Sequence, residues 1–153
     1  MLLNDNSSAK FFFIDIFEFE KQPCLVKNRH SKFIEMGKLV EEFNAYRTKM
    51  NEKILASENK VMKRIYSLDT LTYQEGALSA KTKEMLGLAT SMVLRCDDCI
   101  KYHLEKCFEL GVTTAEMFEL FGVANLVGGT IVIPHTRRAV EYWEELNGNS
   151  AKN

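Results

Sequence analysis

Proline is almost missing from this chain: Pro23 and Pro134 are the only two in 153 residues. Proline removes a backbone donor and clashes with the turn before it, so its scarcity leaves the long stretch between those positions free to run helical. An excess of either charge is missing too. With 20 basic residues against 21 acidic ones and a net charge of -1, the chain lacks the basic surplus by which proteins hold nucleic acid, and no nucleic-acid partner is expected. Long apolar runs are absent. The segment Phe11-Phe12-Phe13-Ile14-Asp15-Ile16-Phe17-Glu18-Phe19-Glu20 is short, and three acids interrupt it, so it does not suit a bilayer span. It also lacks the basic start and small-residue cleavage site of a secretion signal. Four cysteines, two of them three residues apart, do not make the dense framework of a small secreted domain. A chain of this length buries a core without disulfide staples. No membrane partner and a reducing cytoplasm are therefore expected.

Helical spacing occupies most of what remains. Leu39, Val40, Phe43, Tyr46, Met50 and Ile54 recur at steps of three and four, with Glu41, Glu42, Arg47 and Lys49 between them, which predicts an amphipathic first helix. A second is predicted over about Ser57 to Tyr73. Ser79 suits the cap of a third, carrying Glu84, Leu86, Leu88 and Met92 toward Val93 and Leu94. Asp97 or Asp98 starts a fourth, in which Cys99, His103, Cys107 and Leu110 lie roughly a turn apart before Gly111 stops it. Thr113 and Glu116 have capping-box spacing ahead of Met117, Phe118, Leu120, Phe121 and Ala124, and Gly128-Gly129 closes that fifth helix. Pro134 fits the first turn of a sixth, with Ala139, Val140, Trp143 and Leu146. The reading is all-α, about six helices in one domain over residues 36–147, with a frayed tail at 148–153. Residues 1–35 lack a clear helical period. They are either an appendage or an extension upstream of a start at Met36.

The chemistry concentrates in Arg95-Cys96-Asp97-Asp98-Cys99-Ile100-Lys101-Tyr102-His103, a Cys-x-x-Cys with a histidine four residues beyond its second cysteine. Residues three and four apart share a helix face, so Cys96 adjoins Cys99 and Cys99 adjoins His103. The thiolate is the reactive form, and a helix start and a nearby imidazole both favour it. Asp97 and Asp98 oppose it by their charge. If they are occupied elsewhere, the dipole and His103 prevail; if they face the sulfurs, the thiols are sluggish. Glu84 would lie about 18 Å from Cys96 on an unbroken helix. A reversal near Arg95-Cys96-Asp97 would instead bring it alongside His103, where a carboxylate orients the imidazole as a proton relay toward Cys99.

The set Glu84, Cys96, Cys99, His103 resembles the active-site pattern of the AhpD-like, or carboxymuconolactone decarboxylase, family in its thiol-peroxidase branch. The run Gly128-Gly129-Thr130-Ile131-Val132-Ile133-Pro134-His135, followed by Arg137-Arg138-Ala139, is also similar to a branch of that family, and the resemblance covers about Met36 to Leu146. It implies an AhpD-like helical bundle that forms trimers, hexamers or related homo-oligomers. It also implies a thiol-dependent hydroperoxide reductase in which Glu84 and His103 relay protons while Cys96 and Cys99 cycle between dithiol and disulfide. Some members carry a second histidine where this chain has Asp98, so the natural reductant of those members is not carried over. The one-turn spacing to His103 assigns attack on peroxide to Cys99 and resolution to Cys96; a more exposed Cys96 nearer the helix start would argue the reverse. Electrons would come from an outside dithiol, thioredoxin-like or lipoyl-bearing. No metal, flavin or haem cofactor is expected, and the sequence has no Gly-rich dinucleotide fingerprint.

Other readings compete. Cys96, Cys99, His103 and Cys107 form a four-ligand zinc set by type, but from 96 to 107 a helix runs about 16 Å, against roughly 4 Å between ligands of one ion. The family's decarboxylase chemistry, reduction of protein disulfides, and a non-catalytic zinc-binding or redox-sensing helical protein remain alternatives. Cys107 reads more simply as a small buried apolar residue. Cys24 is incidental and His30 has no suggestive neighbours. His135 is a helix-start or packing residue or a border of the pocket. Phe118, Phe121 and Trp143 are core or oligomer contacts.

Overall fold

A computed structural model describes residues 37–148; Cys24, His30 and both readings of residues 1–35 lie outside them, as does the tail beyond Gly148. Six α-helices follow in order: α1 (Lys38–Leu55), α2 (Lys60–Thr72), α3 (Ala80–Leu94), α4 (Asp97–Glu109), α5 (Thr114–Gly128) and α6 (Ile133–Leu146), with a single 3-10 turn at Thr130–Val132 before the last. The all-α helical reading holds, and no strand occurs among the described residues.

The ends form where local chemistry sets them. Ser79 caps α3 by accepting from Thr82 N, and Thr113 and Glu116 make a reciprocal capping box on α5. The second helix begins later than its spacing predicts, at Lys60. Asn59 is the reason: its side chain accepts from Val61 N and Met62 N, satisfying orphan donors of the first turn. Gly37, ahead of α1, has no side chain for that task. Glu145 of α6 does it instead, its Oε2 lying 2.9 Å from Leu39 N.

The helices α3 and α4 form an antiparallel hairpin. The first packs on α5 as well, the second on α6, and α6 in turn meets α1. Leu88, Met92, Leu104, Cys107, Met117, Tyr142 and Trp143 are almost wholly buried at the centre, and Trp143 Nε1 donates to Thr114 Oγ1. Burial of such side chains supplies about 1.5–3 kcal/mol each. Tyr46, Leu86 and Phe118 lie on the predicted apolar stripes but are more than half exposed. Periodicity marks an apolar face without saying what covers it.

Candidate functional site: a dithiol at a helix start with a buried carboxylate–imidazole pair

Arg95 sets the site's geometry. It sits in the left-handed region at φ 61°, unusual for a side chain with a Cβ, and it reverses the chain within one residue. Its amide donates to Met92 O, and the next amide, Cys96 N, donates back to Ser91 O at 3.1 Å. Cys96 thereby becomes the N-cap of α4, with Cys99 in the first turn. Their sulfurs are bonded, and the Cα atoms are 5.3 Å apart. Once reduced, both sulfurs stand at the positive end of the helix dipole, which favours thiolate. Cys99 is exposed and Cys96 half-buried. The argument for attack by a more exposed Cys96 therefore loses its premise.

The same reversal lays α3 against α4. Glu84 Oε2 comes 2.7 Å from His103 Nδ1, and both side chains are at least nine-tenths buried. A neutral imidazole donating from Nδ1 to that carboxylate keeps Nε2 as its acceptor, so the pair fixes which nitrogen is free for proton transfer. Gly87, one turn along α3 from Glu84, makes room for the ring. A Cβ there would stand 2.7 Å from His103 Cε1 and 2.9 Å from Nε2. Tyr73 and Tyr102 enclose the imidazole, each with its ring centroid 5.2 Å away. Burial, with Glu84's charge adding to it, pushes both phenols up, Tyr102 to about 12, so both keep their protons at neutral pH. Arg47 lies 4.4 Å over the Tyr102 ring and closes that side.

The two aspartates between the cysteines are engaged elsewhere. Asp97 Oδ1 lies 2.7 Å from His135 Nδ1, and its Oδ2 lies 3.1 Å from an Arg138 nitrogen. Burial alone would raise the Asp97 carboxyl, but hydrogen bonds from His135 and Arg138 outweigh it and hold it below the ordinary carboxylate range. Asp98 points into solvent, 3.9 Å from Lys101. His135 borders a small cleft with Asp97, Ile100, Lys101 and Arg138, beside the helix that carries the dithiol.

Cys107 is fully buried, and burial pushes its thiol up to about 12, which keeps it protonated and inert. Among the described residues no three His, Cys, Asp or Glu side chains are grouped to hold a metal ion. Gly87, Tyr73, Tyr102 and the tie from Arg138 to Asp97 were not singled out from sequence. Only Gly87 gave a signal there, being three residues from Glu84 and hence on its helix face.

The model of the carboxymuconolactone decarboxylase family matches residues 59–142. Two crystal structures of a Thermotoga maritima protein match with TM-scores of 0.68 and 0.66 and with 48% and 47% identity; they cover 70% and 71% of this chain and 94% and 96% of theirs. That protein is described as a carboxymuconolactone decarboxylase family member with a suggested part in the antioxidative response. A Legionella pneumophila protein of the same family matches at 26% identity and TM-score 0.63, over 75% of this chain and all of that one. An uncharacterised Cupriavidus necator protein is 27% identical over 74 residues, 48% of this chain and 66% of its own length, just under two thirds.

Proposed function

The chain belongs to the carboxymuconolactone decarboxylase family, and from that membership we propose that it is a thiol-dependent hydroperoxide reductase. The observation that carries the reading is the buried Glu84–His103 contact of 2.7 Å one helical turn from a cysteine that can close a disulfide with its neighbour. The suggested antioxidative role of the Thermotoga protein supports it.

In the proposed cycle His103, oriented by Glu84, takes the Cys99 proton. The Cys99 thiolate attacks the terminal peroxide oxygen, the O–O bond breaks, and the alkoxide leaves as an alcohol with the proton from His103. Cys99 is left as a sulfenic acid. The Cys96 sulfur then attacks it, water departs, and the Cys96–Cys99 disulfide closes. Two electrons have passed from the dithiol to the peroxide. An external dithiol, thioredoxin-like or lipoyl-bearing, returns them by exchange, and the exposed residue Cys99 is the point proposed for it. No helix among the described residues is long and apolar enough to cross a membrane; action in the cytoplasm, where dithiol reductants are maintained, is part of the proposal. So is assembly into a homo-oligomer, for which the exposed apolar faces of α2 and α5 speak.

The test is consumption of a hydroperoxide with a dithiol reductant in excess. Cys99→Ser and Cys96→Ser are expected to abolish turnover, and His103→Ala and Glu84→Gln to lower it by about 100-fold, the scale of a lost acid–base group. Full turnover in both cysteine variants would overturn the proposal.

A further inference from the structure

The second sequence run, from Gly128 to Ala139, has no part in the peroxide chemistry as described, yet it is built with care. Gly129, at φ 76°, ends α5 and the 3-10 turn follows. Pro134 then opens α6. Asn125 Nδ2 donates to Thr136 Oγ1 at 2.8 Å, and Thr136 Oγ1 donates to Val132 O at 3.2 Å, so the start of α6 is tied to α5 and to the turn. His135 and Arg138, three residues apart, project from this anchored end toward α4 and meet the same carboxylate, Asp97. Asp97 follows Cys96 directly and precedes Cys99 by two residues. A free carboxylate there would stand near both sulfurs and oppose their ionisation.

We propose that His135 and Arg138 are positioning residues of the dithiol: they turn the Asp97 carboxylate onto α6 and so keep its charge from suppressing the thiolates of Cys96 and Cys99. The proposal deepens the peroxidase reading and rests on it for its consequence in turnover. The thiolate effect itself is measurable without any peroxide. The other ionisable groups around the dithiol are Glu84 on α3, Arg95 at the reversal, and Asp98, Lys101 and His103 on α4; all of them stay in place in the variants below. Arg138 is half-exposed, so its removal spares the core.

The experiment is the pH dependence of iodoacetamide alkylation at Cys96 and Cys99 in the reduced full-length protein, read by peptide mass spectrometry. Arg138→Ala and His135→Gln are each expected to raise the apparent thiol pKa by about 0.5–1, slowing alkylation at neutral pH by about 3–10-fold. Asp97→Asn in the same chain is expected to restore the rate to within about twofold of Asp97→Asn alone. Equal slowing with and without the Asp97→Asn substitution would mean that Arg138 or His135 acts on the sulfurs directly, and it would overturn the proposal. Unchanged rates in both single variants would overturn it as well. Absence of peroxidase activity with the expected alkylation pattern would remove the peroxidase reading and leave the positioning role standing.

Discussion

A methyl group at position 87 would stand 2.7 Å from both His103 Cε1 and the Tyr73 hydroxyl. The imidazole is not free to retreat, since it is held by Glu84 and flanked by Tyr102. Alanine is nevertheless the better helix former, by about 1 kcal/mol, so stability and activity pull in opposite directions here. Gly87→Ala is expected to shift the thermal midpoint by only a few degrees while lowering peroxide turnover about tenfold or more, because Nε2 no longer sits where the proton must pass. Wild-type turnover in that variant would show that the ring's placement is unimportant. At this scale the sequence carried a good deal. The spacings of Glu84, Cys96, Cys99 and His103 were enough to place the carboxylate against the imidazole, since helix arithmetic and one reversal determine that contact. Spacing puts Gly87 on the helix face of Glu84, but it does not tell that a ring fills the place of the missing side chain.

Between elements, the junction of α1, α4 and α6 turns on Glu105. Its carboxylate accepts from Asn44 Nδ2 of α1 at 3.0 Å and from the Tyr142 hydroxyl of α6. Burial raises this carboxyl above its ordinary value of 4.5, and the two hydrogen bonds only partly offset that. A carboxyl raised in the folded state is stabilising below the unfolded value, and that contribution is lost as pH rises through the folded one. Glu105→Gln keeps an acceptor for both donors and removes the buried charge. It is expected to raise the melting temperature at pH 8, with the gain vanishing by about pH 4. Glu105→Ala leaves both donors unpaired and should cost about 2–4 kcal/mol. A gain from the glutamine variant that persists unchanged at pH 4 would contradict the charge argument. The helix ends were legible wherever the signal is local, as with Ser79, Thr113 with Glu116, and Pro134. Ties across the chain were not. Glu145 capping α1 spans 106 residues and Asp97 meeting His135 spans 38; no periodicity within either partner's helix encodes them.

Across the molecule, the surface of the described chain carries large apolar side chains on α2 and α5. In α5, Met117, Leu120, Phe121 and Ala124 are buried, while the opposite side offers Val123, Leu126 and Val127, with Leu126 86% exposed. Large apolar side chains on a second face of a helix are ordinarily covered too. The second helix repeats the pattern: none of its residues is buried, and Val61, Ile65, Leu68 and Leu71 face outward. Exposed apolar faces of this kind mark an interface, and a second copy of the chain is the occupant the proposed homo-oligomer supplies. The protein is therefore expected to sediment at a multiple of its 17.6 kDa mass at micromolar concentration. Leu126→Glu places a charge in the middle of the exposed side of α5, and a buried unpaired charge costs several kcal/mol. That variant is expected to dissociate by at least one step while its helical circular dichroism stays intact, because Leu126 makes no contribution to the core of its own chain. A wild-type protein that remains monomeric at those concentrations would remove the interface. Dissociation accompanied by loss of helical signal would mean instead that α5 needs its neighbours to fold.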